Sequence, residues 1–312
     1  MQLISVVIPT WNRSVDVQSA VHSALRQSHR DLEVIVVVDG PQPATERALR
    51  NIADPRLRVI TTPESVGLAE ARNVGARSAR GEWIAFLDDD DLWLRDKLEK
   101  QLRAASKFKG SHTLIVTQYL ERTSTMERVW PETLPRDTCR FSEYIFCRRG
   151  MLLPSTYLAS RALMLRVPFT KGLRHLEDTD WLLRAADDPL TKIGSVAEPL
   201  TIYNNVSTTG RESCDAPWRV FYVWGIANRR LFTDRAFSHY ITRTIVPRAK
   251  EARASWRELF HLLSAALLLG SFNLEATLFF FASSIFARES KRKIRELLSP
   301  AARRARERAK DA

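Results

Sequence analysis

The sequence predicts an α/β fold, a mostly parallel sheet flanked by helices, and three observations carry that prediction. Short runs at Leu3–Ile8, Leu32–Val38 and Trp83–Leu87 are apolar along almost their whole length, as strands buried on both faces are. Segments of helical periodicity separate them, which is the signature of βαβ units. Each run also ends in residues suited to polar ligands: Pro9-Thr10-Trp11-Asn12-Arg13 after the first, Asp39-Gly40 after the second, and Asp88-Asp89-Asp90-Asp91 after the third. Open α/β sheets bind ligands in the crevice outside the carboxyl ends of their strands.

Taken in order, the strand Leu3–Ile8 leads into a loop and then a helix from about Val15 to Gln27, whose Val17, Val21, Ala24 and Leu25 fall on one face. Leu32–Val38 is the second strand. Thr45–Ile52 is a helix closed by Asp54-Pro55, and Leu57–Ile60 is a short third strand. A helix over Ser65–Arg80 leads into the fourth strand, Trp83–Leu87. Residues 94–110 form a charged helix and 113–119 another strand. Between Glu121 and Arg149 the pattern is irregular and reads as an excursion lining the site. Pro154–Leu158 resumes strand character, and Arg161–Arg166 is a short helix or turn. The acids of His175-Leu176-Glu177-Asp178-Thr179-Asp180 precede a helical apolar pattern, and Ile193–Val196 and Leu200–Tyr203 read as strands.

The four consecutive aspartates are the focus of the chain. Carboxylates this close repel one another unless a cation or hydrogen-bond donors compensate. A hard divalent ion that bridges to substrate phosphates answers that need, with Asp88 and Asp90 as its candidates. The plainer reading is helix capping, which suits Asp91 followed by Leu92-Trp93-Leu94. One cap does not require four acids.

Composition narrows the classes further. The 312 residues are 45% hydrophobic, which allows a sizeable core and gives no sign of wholesale disorder. Cys139, Cys147 and Cys214 are odd in number and lack metal-like spacing, so a reducing, cytoplasmic setting is expected. No basic segment and long apolar run precede the first strand, which argues against a secretory signal. No G-x-G-x-x-G or G-x-x-x-x-G-K occurs, so a dinucleotide cofactor and P-loop hydrolysis are poorly supported.

VVIPTWNR, VVVDG, VGLAEARNVG, FLDDDDLW, LEDTDWLLR and AEPLTIYNN occur in the order and approximate spacing of family 2 glycosyltransferases, which the chain resembles over roughly residues 3–205. The resemblance implies a GT-A fold, a Rossmann-like sheet flanked by helices. It implies a catalytic domain over 1–215, with a nucleotide-sugar part to about 120 and an acceptor-side part over 121–215. Pro9, Thr10 and Asn12 resemble the loop that contacts the nucleotide, and Trp11 an aromatic that stacks on the base. Asp39 resembles the acid that binds the base or its ribose. Arg72 lies where the family's A-R-N segment approaches the nucleotide. Asp88 and Asp89 belong to the donor-binding set, with Asp88 facing the ribose, while Asp90 would hold Mg²⁺ or Mn²⁺ against the diphosphate. Asp178 resembles the catalytic base; Glu177 or Asp180 could share that role or cap the helix. The implied reaction is inverting transfer from a nucleotide-diphosphate sugar, most readily a UDP-sugar, to a hydroxyl of a glycan or lipid-linked acceptor. Val38 stands where many relatives carry an acid, and no Q-x-x-R-W follows Trp181, which points to transfer of one sugar rather than polymerisation.

Residues 216–312 read as a helical extension with a basic tail. Trp218–Phe232 and His239–Arg253 fit two helices, and Trp256–Ala287 carries two apolar runs, neither reaching the roughly 20 residues a spanning helix needs. A packed helical hairpin is the conservative reading. An interfacial pair of helices, with the basic Arg288–Lys310 segment against anionic headgroups on the cytoplasmic face of a membrane, is the alternative. No nucleic-acid partner is expected. Two rival functions follow from the same residues: a metal-dependent nucleotidyltransferase, which would need a glycine-rich basic loop after the first strand, and a non-catalytic membrane-docking protein.

Overall fold

The computed structural model describes residues 2–108, 112–135, 140–205, 217–272 and 274–285. It divides the chain into two compact units, residues 1–216 and 217–312.

The first unit is built on one nine-stranded mixed sheet. Strands β1 (Ile4–Thr10), β2 (Leu32–Val38), β3 (Leu57–Thr61) and β4 (Trp83–Phe86) form its parallel half, with β1 between β2 and β4. Helices α1 (Asp16–Leu25), α2 (Pro43–Arg50) and α3 (Leu68–Ser78) make the crossovers. Every residue of β1 and β2 is buried, because both faces are covered. Ile4, Val6 and Ile8 pack with Val17, Val21 and Leu25 of α1 on one side. Val7, Ile35, Val37 and Phe86 pack with Ala69, Ala71 and Ala76 of α3 on the other. Gly75 lets α3 approach closely, since a Cβ there would collide with the Val7 side chain.

The chain runs outward from β1 to β2 and β3, then returns to β4 on the opposite flank of β1. That reversal makes a topological switch point, and the crevice beyond β1 and β4 is where such sheets bind ligands. The other half contains β5 (Asp91–Trp93), β6 (Thr113–Arg122), β7 (Glu127–Trp130), β8 (Leu158–Ser160) and β9 (Lys192–Asn204). Antiparallel β8 joins β4 to β6; β9 is parallel to β6 and carries β5 antiparallel on its far side.

Several expectations need correction. Asp91 does not cap a helix: it opens β5 and pairs with Tyr203, and the charged helix begins only at α4 (Lys97–Ala105), with Asp96 at its N-cap. The cause is nonlocal pairing, which places Asp91–Trp93 against β9. Pro154–Thr156 is a 3-10 turn rather than strand, and pairing starts at Leu158. The two strands expected near 193–203 are one, β9, interrupted by register shifts opposite Thr117 and Gln118. The irregular 121–149 excursion contains β7 and helix α5 (Phe141–Phe146). Helices α6 (Arg161–Arg166) and α7 (Glu177–Asp187) complete this unit.

The second unit is helical. Helices α8 (Trp218–Ala227), α9 (Asp234–Tyr240), α10 (Val246–Glu251), α11 (Trp256–Leu268) and α12 (Leu274–Ile285) surround an aromatic cluster of Trp224, Phe232, Phe237 and Tyr240. The Tyr240 hydroxyl donates to the Phe221 carbonyl at 2.7 Å, so its burial leaves no lost hydrogen bond. A π turn at Ile241–Ile245 joins α9 to α10 just before Pro247, whose missing N–H breaks the regular ladder. Ser255 and Glu258 form a reciprocal capping box at the start of α11. Among the described residues no helix is long and apolar enough to cross a membrane. The basic Arg288–Lys310 segment lies outside the described residues.

Candidate active site

The loops after β1 and β4 meet through their polar side chains. The Thr10 hydroxyl, at the buried end of β1, donates to Asp89 Oδ2 at 2.7 Å. Arg13 Nη1 reaches Asp89 Oδ1 at 3.0 Å and Asp90 Oδ2 at 2.6 Å. Burial still dominates at Asp89 and pushes its carboxyl up to about 6, against the Thr10 hydrogen bond and the Arg13 charge. Asp89 is therefore the aspartate most engaged with its own protein. Asp88 and Asp90 each keep 26% of the side chain exposed. A turn in which Asp91 N–H donates to the Asp88 carbonyl presents them, and the Asp88 N–H donates to Ser155 Oγ at 3.0 Å.

Around that turn, the β1 loop places the other expected residues unequally. Pro9 lies within β1 beside Val37, buried. Trp11 is 55% exposed at the rim of the strand end. Asn12 adopts a left-handed backbone with φ 55°, and its N–H donates to Gln42 Oε1 at 2.7 Å. Gln42 in turn donates to the Asp39 carbonyl at 2.9 Å, which ties the β1 loop to the β2 loop. The Asp39 carboxylate accepts from Ser65 Oγ (2.9 Å), Val66 N–H (2.6 Å) and Gly67 N–H (3.0 Å). It holds the entrance to α3 in the shape that Gly67, at φ 83°, permits.

Arg72 is the central finding of the site. Its side chain is 1% exposed and spans two elements. Nη2 donates to Asp88 Oδ1 at 2.6 Å and Nη1 to Glu177 Oε1 at 3.4 Å, with the guanidinium over the Phe169 ring at 5.4 Å. Burial opposes the Arg72 charge, yet the carboxylates outweigh it and hold its pKa above the ordinary value. The strand-end acids are thereby linked to the N-terminus of α7.

Trp181 fixes that helix from below. Its ring stacks between Tyr157 and Phe169 at centroid distances of 5.4 and 5.3 Å, and its indole N–H donates to the Val167 carbonyl. Glu177 and Asp178 then fall in the first turn, beside Arg72 and Asp88. Asp178 is walled by protein but keeps solvent contact. Burial pushes its carboxyl up, against the Thr179 N–H and Arg72, with Asp88 adding to the rise. Burial and the neighbouring Asp178 charge push Glu177 up to about 7. Asp180, a candidate for sharing the base role, instead accepts from the Thr170 hydroxyl at 2.6 Å and Arg184 Nε at 2.8 Å. The structure thus brings Thr10, Asp88, Asp89, Asp90, Arg72 and Asp178 together, while Trp11 and Asn12 stand on the loop at their edge.

Sequence reasoning missed Arg13, Gln42 and Ser155 as parts of this arrangement. A signal existed for Arg13, the only cation in the β1 loop. None existed for Ser155, which reaches Asp88 from 67 residues away.

Asp88 and Asp90 suit Mg²⁺ or Mn²⁺ by the chemistry of their donors, hard carboxylate oxygens with partial solvent access. Among the described residues no three ligating side chains converge. An ion here would draw its remaining ligands from substrate phosphates and water.

An α/β fold with an acidic crevice at its switch point and a carboxylate helix N-terminus facing it defines the class of enzymes that handle nucleotide-linked groups. Residues 5–153, just under half of the chain, match the family model for glycosyl transferase family 2. The chain is 33% identical over 100 residues to the UDP-Glc:alpha-D-GlcNAc-diphosphoundecaprenol beta-1,3-glucosyltransferase WfgD of Escherichia coli, covering 32% of this chain and 40% of that protein. It is 24% identical over 272 residues to the amylovoran biosynthesis glycosyltransferase AmsB of Erwinia amylovora, covering 83% and 90%. Several matches above 30% identity span only about two fifths of those relatives' own length. In fold it is similar to residues 1–349 of S. aureus TarS, solved in complex with UDP-GlcNAc, with a TM-score of 0.65, 16% identity, and 94% and 92% of the two chains covered. The fold is GT-A.

Proposed function

We propose that the chain is an inverting glycosyltransferase that moves one sugar from a nucleotide-diphosphate sugar, most readily a UDP-sugar, to an acceptor hydroxyl in the assembly of a cell-surface polysaccharide. The observation that carries this reading is the Arg72 bridge. It sets a carboxylate of raised pKa, Asp178, beside the acids that end β4. A general base works best when its pKa approaches the operating pH, and burial moves Asp178 in that direction.

In this reading the loop Pro9–Asn12, Asp39 and Asp88 receive the nucleoside, with Trp11 against the base and Asp88 toward the ribose. Asp89 anchors that loop through Thr10 and Arg13. Asp90, with Asp88 beside it, would hold Mg²⁺ or Mn²⁺, which supplies Lewis-acid stabilisation of the departing diphosphate. Asp178 takes the proton of the acceptor hydroxyl as its oxygen attacks the anomeric carbon. The bond from that carbon to the diphosphate breaks, its electron pair leaves on the nucleoside diphosphate, and configuration inverts. Glu177, its carboxyl pushed up to about 7, adds less negative charge beside Asp178 than an ordinary glutamate would.

Residues 1–215 are assigned as the catalytic domain, with donor contacts up to about residue 120 and acceptor contacts over 121–215. The name of WfgD supports a lipid-linked acceptor, and with it peripheral contact with the cytoplasmic face of a membrane. The test is donor binding by calorimetry across UDP-, GDP- and dTDP-sugars, with Mn²⁺ or EDTA. Metal-strengthened binding of one donor is expected. A chain that binds no donor under any of these conditions contradicts the reading.

A further inference from the structure

The charge of the chain is segregated: residues 217–312 hold 19 Lys or Arg against 8 Asp or Glu, a net of +11 out of +12. Residues 1–216 are close to neutral. The same basic unit exposes a run of large apolar side chains at the turn between α11 and α12. Leu268 is 83% exposed and Phe272 73%, and Leu267, Leu269, Leu274 and Leu278 stand out beside them.

These residues are not loosely placed. Ser238 Oγ of α9 donates to the Ala266 carbonyl at 2.7 Å and accepts from the Ser271 N–H at 2.9 Å. Gly270 packs so closely that a Cβ there would collide with the Ser238 hydroxyl and the Ala266 carbonyl. Arg229 Nε donates to the Leu269 carbonyl at 2.7 Å, which pins the α8–α9 connection to the same turn. Arg229, which also pairs with Asp234, thus borders the apolar tip, and the exposed Arg230 and Arg235 lie close to it in sequence, Arg235 one turn before Ser238 on α9. Along α11 the exposed Trp256 and Phe260 repeat at i and i+4, while Leu259, Leu262 and Ala266 are buried. The exposed face is thus opposite the packed one.

A folded protein seldom leaves so many large apolar side chains together in water, and such patches mark interaction surfaces. Apolar groups on a rigid turn, with arginines nearby in a strongly cationic unit, have the chemistry of an interfacial contact with anionic lipid. The apolar part enters the headgroup–acyl boundary, and the arginines meet the phosphates. We propose that the α11–α12 turn is a membrane-docking tip specific for anionic bilayers. The charge segregation favours lipid over a second copy of the chain, because two surfaces of the same positive sign repel each other.

The test is sedimentation of the full chain with vesicles of phosphatidylcholine, with and without phosphatidylglycerol, for the native protein and Leu268→Asp/Phe272→Asp. Both positions are exposed, so the double variant should keep the native circular dichroism and melting temperature. The native chain should bind only the anionic vesicles and release as salt rises, and the variant should lose at least tenfold in partitioning. Native protein left in the supernatant, or a variant that binds equally well, overturns the proposal. So does a native dimer in sedimentation velocity that the double variant dissolves. To cover a variant that misfolds, Arg230→Gln/Arg235→Gln should weaken binding at least threefold, and no change there also overturns it. Donor binding is assigned to residues of the first unit, so its persistence in these variants separates failure of the docking proposal from failure of the transferase reading.

Discussion

Replacing Arg72 by Met removes the cation that Asp88 and Glu177 share, at 2.6 and 3.4 Å. A charge pair near 4 Å contributes about 4 kcal/mol at an effective dielectric of 20. Both carboxylates keep some solvent contact, which reduces the useful part to about 1–2 kcal/mol for each. The Arg72 charge also opposes the rise of the Asp178 carboxyl, so its removal moves that carboxyl further up. A base must be deprotonated to act, so the acidic limb of kcat/KM should shift to higher pH. At neutral pH the loss should be about 10- to 30-fold, since 1.4 kcal/mol is a factor of ten. Much of it should return at alkaline pH. Arg72→Lys should keep the limb nearer its native position. The assay is nucleoside diphosphate release across a pH series for the three proteins. A loss equal at every pH would refute the electrostatic argument and assign Arg72 to substrate contact instead.

Three further outcomes follow from the same contacts. Glu177 rises from 4.5 to about 7 in the fold, so the folded chain holds a proton that the unfolded chain releases. Stability therefore falls as pH rises from about 4.5 through about 7, by about 2–3 kcal/mol, and Glu177→Gln should flatten that slope in urea melts at a series of pH values. Asp39→Asn should cost about 1–2 kcal/mol in chemical denaturation, because its carboxylate accepts two backbone N–H groups and the Ser65 hydroxyl. Gly75→Ala should destabilise by about 1–3 kcal/mol, since the added methyl meets the buried Val7 side chain between α3 and β1; an unchanged melting temperature would contradict that packing.

The central strands of the parallel half, β1, β2 and β4, were legible because they are buried almost throughout and written as nearly unbroken apolar runs. Every residue of β1 and β2 is inside. Their crossovers are local, so periodicity found them. The other half is held by pairings distant in sequence, and local patterns failed there. Asp91–Trp93 resembles a helix start until Thr201–Tyr203 lies beside it. Leu158–Ser160 becomes a strand through β4 and β6 rather than through its own composition. The site followed the same division. The aspartates and Asp178 were readable as acids at element ends. The bridging role of Arg72 needed the 105-residue reach to Glu177, and an arginine in a helix gives no sign of which way it turns.

The central claim is that Asp178 takes the acceptor proton while the strand-end acids hold the donor. The most direct measurement is therefore steady-state transfer with an identified donor and acceptor, for the native chain and Asp178→Asn. The change is nearly isosteric, so donor affinity should stay within about threefold, while kcat falls by the 10²- to 10⁴-fold that a general base contributes. A variant that turns over at the native rate, or one that loses donor binding in proportion to activity, would contradict the account.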